Sequence, residues 1–157
     1  MKRILFTTVA ILLYCSAFTQ SNKEEIDMMQ SAFGMEKKAV AAELITLEGA
    51  AKDAFWSAYD EYEGKRKELG KKRIDLLNKY ISNYESMDDA SMDAIVNEMI
   101  GLQGQTDKLI ATYYKKIKKD AGIRPAAQFF YLEGYILSKI RTEIMESIPE
   151  IGKISNN

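Results

Sequence analysis

The sequence predicts an all-α fold: a long antiparallel helical hairpin flanked by an N-terminal helix and an apolar C-terminal helix, four helices in all. Three observations predict it. Pro125 and Pro149 are the only prolines, so nothing before residue 125 forbids long uninterrupted helices. No stretch sustains the apolar-polar alternation of a half-buried strand, and no Asn-Gly or Asp-Gly pair marks a hairpin turn. Apolar residues instead recur at three-and-four spacing over most of residues 47–119, which is the period of one helix face.

The chain begins with what reads as an export signal. Lys2 and Arg3 precede an apolar run from Ile4 to Tyr14 that is broken only by two threonines, and polar residues take over from Thr19. A basic start, a short apolar centre and small residues before a polar stretch are the parts of a secretory leader. The run falls short of the ~20 residues that span a bilayer, which argues for cleavage over a retained anchor and leaves no stable membrane span. The expected cut follows Thr19, with Ala17 as the alternative site, so residues 1–19 are the leader and 20–157 a single helical domain. Cys15 is the one cysteine, and Tyr14 before it is bulkier than the residue that usually precedes a lipidated cysteine. Cleavage removes that thiol, and with it disulfides and thiolate metal sites. Taking Lys2 and Arg3 from the 22 basic residues leaves 20 against 23 acidic ones, a net charge of −3. Such a balance is a poor match to nucleic acid.

Residues 24–44 are helix-prone, with Gly34 expected to divide them into a loose lead-in and a firmer helix. Thr46 is the expected N-cap of the next helix, over about 47–85, because its hydroxyl can accept from an unpaired backbone N–H. Arg66 and Arg73 sit within that helix's apolar spacing, where their aliphatic stems can lie along a seam. At ~1.5 Å per residue this rod approaches 60 Å. Ser86-Met87-Asp88-Asp89 ends it, and Asp88 caps a partner helix over about 89–119 whose last turns carry Lys115, Lys116, Lys118 and Lys119. Gly122 is the expected C-terminal stop. Pairing the two rods about the turn brings Tyr62 near Tyr113, Leu69 near Thr106, and Gly70 level with Gly101 and Gly104. Three glycines at one level are either a close backbone approach or chance.

The last helix opens at Pro125, a favourable first-turn residue, and stops before Pro149. Only Glu133 and Gly134 interrupt its apolar run from Phe129 to Leu137. A helix apolar nearly all round has to be covered on several sides, so Phe129, Phe130, Leu132, Tyr135, Ile136 and Ile140 form either a bundle core or a homodimer face.

Residues suited to catalysis are scarce. Histidine is absent from the whole sequence, which removes His-based triads, the usual neutral-pH acid-base group and the commonest zinc ligand. No glycine-rich phosphate loop opens a helix. Glu143 with Glu146, and Asp60 with Glu61 and Glu63, are explained as solvated helix surface. No enzyme activity, cofactor or metal is therefore expected. What remains is surface. Phe55, Trp56, Tyr59 and Tyr62 lie just upstream of the basic residues Lys65, Arg66, Lys72 and Arg73, and the hairpin places Lys108 and Lys115 across from them. Together they are a candidate face for flexible or acidic chains. The rival reading buries the aromatics in the core and leaves the lysines solvated or paired.

Two motifs carry a resemblance. Ile45-Thr46-Leu47-Glu48-Gly49 followed by Phe55-Trp56-Ser57-Ala58-Tyr59 is similar to the LTxxQ helix start and FWxxY of the Spy/CpxP-like family of envelope proteins, in particular its Bacteroidetes-type relatives. Ile123-Arg124-Pro125-Ala126-Ala127-Gln128, with Phe129-Phe130 and the terminal Ile148-Pro149, is a second echo. Gly49 stands where the family has glutamine, Arg124 replaces a threonine, and one extra residue precedes Gln128. The resemblance implies a curved, dimeric helical hairpin in the periplasm that chaperones unfolded or flexible envelope proteins without ATP. The alternative it implies is a regulatory module docking on one membrane stress sensor.

Overall fold

The structure, a computed structural model, describes residues 23–146 and 148. The expected leader and the stop at Pro149 lie outside the described residues. Four α-helices make up the fold: α1 (Lys23–Leu44), α2 (Gly49–Asn83), α3 (Asp89–Asp120) and α4 (Ile123–Glu146), with a 3₁₀ turn at Tyr84–Ser86 between α2 and α3. No strand occurs among the described residues. The all-α hairpin expected from the apolar period is therefore what the chain forms. With 35 and 32 residues, α2 and α3 are rods of about 50 Å each.

The helix ends follow local chemistry. Asp88 caps α3: its Oδ1 accepts from the Ser91 N–H at 2.7 Å, which satisfies a donor that the helix leaves free. Lys118 and Lys119 fill the last turn, at the negative end of the dipole. Gly122 closes α3 with φ +106°, and its N–H donates to the Ile117 carbonyl at 3.2 Å. α4 starts two residues before Pro125, which lies buried in the first turn, where a missing N–H costs nothing.

Two boundary expectations are corrected. Thr46 does not cap α2. The cap position falls on Glu48, which makes no side-chain bond there, while Thr46 is exposed in the connecting segment. The reason is Gly49, whose φ of +56° turns the chain into the helix through the left-handed region. Gly34 does not divide α1 either, because the helix runs straight through it. A Cβ at Gly34 would meet only Glu63 Oε2 at 3.5 Å and Arg66 Nη2 at 3.9 Å, so packing on α2 holds that stretch helical.

The core occupies one end of the hairpin, far from its turn. Ala41 and Ile45 of α1, Phe55, Ala58, Tyr59 and Tyr62 of α2, Ile110, Tyr113 and Ile117 of α3, and Ala126, Phe129 and Leu132 of α4 form one buried cluster. Aromatic edges knit it together. Tyr62 meets Tyr113 at 5.6 Å and Phe129 at 5.0 Å, both T-shaped, and Tyr59 meets Phe129 edge-on at 6.4 Å. The Tyr62–Tyr113 contact fixes the hairpin register that the sequence predicts. From α4, Gln128 donates to the Leu44 carbonyl at 3.0 Å and so satisfies an acceptor at the end of α1.

Beyond this cluster the hairpin continues as an arm. Among residues 69–109 only Ile95 and Leu102 are buried. Leu76, Leu77, Met92 and Met99 are half-buried, while Ile81, Val96 and Ile100 are exposed. Gly101 and Gly104 face open space, with nothing within 4 Å of a Cβ built on either, so they make no close backbone approach.

Candidate binding surface and the ionic cluster beneath it

The candidate client face divides once burial is known. Phe55, Tyr59 and Tyr62 are fully buried, which removes them from any surface that another chain could touch without opening the bundle. They are core because α1 and α4 dock on the same side of α2. Trp56 is half-buried, edge-on to Phe55 at 4.9 Å and to Tyr59 at 5.4 Å, with Lys38 Nζ 5.4 Å from its ring centre. Arg66 is also withdrawn. Its Nε donates to Glu63 Oε2 at 2.9 Å, and its guanidinium lies 5.2 Å from the Phe33 ring. Arg73 is half-buried, and burial, with the nearby charge of Arg141, pushes its guanidinium pKa down. Lys65, Lys72, Lys108 and Lys115 remain exposed.

α4 divides in the same way. Phe129 and Leu132 point inward and Ile136 packs half-buried against the core, with Ile140 half-buried further along. Phe130 and Tyr135 point outward, beside Tyr131.

The acidic cluster on α2 is a set of inter-helix ties and not merely solvated surface. Each carboxylate reaches a different lysine: Asp60 pairs with Lys38 of α1 at 2.5 Å, Glu61 with Lys116 of α3 at 2.6 Å, and Glu63 with Lys37 of α1. The hydrogen bond from Lys116 holds the Glu61 carboxyl below the usual carboxylate range, and the same bond raises Lys116. The Asp60 and Glu61 ties are half in solvent, so water screens them heavily.

The third tie leads into the interior. Lys37 has 1 % of its side chain exposed, as does Glu133. The Lys37 ammonium donates to Glu133 Oε2 at 2.8 Å and lies 2.6 Å from Oε1, an ion-pair contact without a directed hydrogen bond to that second oxygen. The Tyr62 hydroxyl donates to Glu133 Oε2 at 2.5 Å, and Lys37 also stands 4.9 Å from the centre of the Tyr62 ring. Lys37 and Arg66 therefore face Glu63 and Glu133, two cations against two carboxylates, where α1, α2 and α4 meet. Burial raises the Glu133 pKa, opposed by the charge and hydrogen bond of Lys37 and by the bond from Tyr62. Burial also pushes both tyrosine hydroxyls far above their ordinary range. The Tyr59 hydroxyl is buried with no hydrogen-bond partner among the described residues.

Reasoning from sequence missed Lys37 and Lys38 altogether. The available signal was Glu133, a lone carboxylate inside an apolar run, since a buried charge needs a partner. Which lysine supplies that partner depends on how α1 docks. Among the described residues no group of three or more His, Cys, Asp or Glu side chains could hold a metal ion, and no helix is long and apolar enough to cross a membrane. Compared with known proteins, the chain matches no family model, no curated protein and no solved structure.

Proposed function

We propose that the protein is an exported, ATP-independent chaperone-like factor that holds unfolded or flexible polypeptide segments along the arm of its hairpin. The observation that carries this reading is the arm's incomplete burial. Residues 69–109 bury only Ile95 and Leu102, although α4 reaches the near part of this stretch, where the charge of Arg141 acts on Arg73. Val96 and Ile100, 45 % and 64 % exposed, lie one turn apart on α3. Lys72, Lys79 and Lys108 are exposed on the two helices of the arm. Apolar contacts flanked by mobile cations suit loose binding of chains that are partly apolar and partly acidic, without a shaped pocket. The resemblance to the Spy/CpxP-like family and the leader-like start of the sequence support the same role in the bacterial envelope.

The test is suppression of aggregation. Purified protein is expected to slow light scattering of a chemically unfolded client diluted into buffer without nucleotide. Val96→Asp/Ile100→Asp should lose most of that protection while keeping full helical circular dichroism, because both side chains already face water. Absence of protection by the parent protein in molar excess would overturn the proposal. So would a double variant that protects equally well.

A further inference from the structure

Between Phe33 and Leu44, α1 is held on the bundle by charge and by little apolar surface. The only buried side chains there are Lys37 and Ala41, an ammonium and a single methyl, with Val40 packed half-buried beside them. Beneath α1 lie three rings of α2. Lys38 Nζ stands 5.4 Å from the Trp56 ring centre, and Lys37 Nζ stands 5.7 Å from that of Tyr59 and 4.9 Å from that of Tyr62. Three carboxylates face the same two lysines: Asp60 meets Lys38, while Glu63 and Glu133 meet Lys37. Arg66, bonded to Glu63, offsets one of the three, which leaves two negative charges opposite two lysines. The Tyr59 hydroxyl is buried beside them with no hydrogen-bond partner among the described residues, so α1 fills this groove without satisfying it.

We propose that α1 is a displaceable strap over a binding groove, and that the groove takes a helical segment of another polypeptide with two adjacent basic residues and a small apolar face, as Lys37-Lys38 and Val40-Ala41 form in α1. Charge selects that partner. An empty groove strands Glu63 and Glu133, which is the costly outcome for a buried pair, whereas an incoming ammonium replaces Lys37 in kind. Exchange of one basic helix for another is therefore the route, and the same carboxylates turn acidic segments away. The aromatic rings below add a cation–π surface for whichever ammonium sits there. The chain supplies the pivot: α1 ends at Leu44, Ile45 stays buried in the core, and Gly49 turns the connection at φ +56°. The groove shares no residue with the arm, so its occupancy does not depend on what the arm holds.

A fluorescein-labelled peptide of residues 33–44, titrated into the full chain and followed by anisotropy, tests this. The parent is expected to bind it weakly, because its own α1 occupies the groove. Lys38→Glu sets like charges together at Asp60, an exposed pair, and so loosens α1 without touching the buried junction. This variant should keep the parent's circular dichroism and bind the peptide about tenfold tighter or more. A peptide carrying Lys37→Glu and Lys38→Glu should bind neither chain. Lys37→Ala gives a second readout, since the peptide restores the ammonium that this variant lacks: peptide should raise its thermal midpoint and leave the parent's unchanged. Adding Val96→Asp/Ile100→Asp to Lys38→Glu should not alter the affinity, which separates the groove from client binding on the arm. Absence of saturable binding by Lys38→Glu would overturn the inference. Equal affinity of parent and variant, equal binding of the charge-reversed peptide, a Lys37→Ala midpoint indifferent to peptide, or binding lost with the arm substitutions would each do the same.

Discussion

Lys37 is the residue on which three helices depend. Its ammonium is nearly buried, pairs with Glu63 and Glu133, and lies against the face of Tyr62. A buried pair is not in itself evidence of stability, because desolvating two ions can offset their attraction. Removing one partner is different, because the other charge is left stranded. Lys37→Met should cost about 3–5 kcal/mol near neutral pH, measured by urea unfolding. The pH dependence has a definite sign. Burial raises the Glu133 pKa in the folded state, so its contribution is fully present below the ordinary glutamate value of about 4.3 and is lost as pH rises through the raised folded value. Without Lys37 the ionised form is more costly still. The gap between parent and variant should therefore narrow on acidification, because a protonated Glu133 no longer needs an ammonium. A gap that stays constant or widens on acidification would place the cost elsewhere. Glu133's need for a partner could be read from the residues, but not which lysine supplies it, since a lysine on a helix surface and a lysine under a docked helix look alike in sequence.

At the scale of the element, glycines show what the periodic pattern specifies and what it leaves open. The two rods, their turn and the Tyr62–Tyr113 register were legible because three-and-four spacing over many turns admits few alternatives, and because Asp88 and Gly122 are end signals with a direct backbone cause. The start of α2 was misread at Thr46 because a hydroxyl cap and a left-handed glycine compete for the same role, and only backbone torsion tells them apart. Burial of Phe55, Tyr59 and Tyr62 was equally open, since it depends on which side of α2 the helices α1 and α4 choose. The torsions separate the glycines into two classes. Gly49 and Gly122 hold positive φ, and a Cβ at such positions costs about 1–2 kcal/mol. Gly101 and Gly104 are helical, exposed and free of neighbours, and alanine is the better helix former by about 1 kcal/mol. Gly49→Ala and Gly122→Ala should thus lower the thermal midpoint, and Gly101→Ala and Gly104→Ala should raise it. The same sign for all four would remove the conformational basis of the distinction.

Across the whole molecule stability is distributed unevenly, and the proposed activity depends on that distribution. One end holds the aromatic cluster, the ionic junction and all four helices, while the other end is two helices packed on each other over few buried side chains. The free energy of opening a segment follows the apolar surface and tertiary contacts that it would lose. Amides around Phe55–Tyr62 and Tyr113–Ile117 can exchange only when the bundle opens, whereas those near the turn, around 76–98, need only the arm to fray. Native-state hydrogen exchange should therefore show two levels of protection: amides at the core end at or near the global unfolding free energy, and amides of the arm well below it. Adding an unfolded client should raise protection on the arm and leave the core end unchanged, because the client would cover surface that is already open. The ordering matters for function, since an arm that shifts at little cost can fit its half-buried leucines and methionines to chains of different sequence while the ionic junction keeps the hairpin's base fixed. Uniform protection along α2 and α3, or client-induced slowing confined to the core end, would mean that the arm is not the adaptable part.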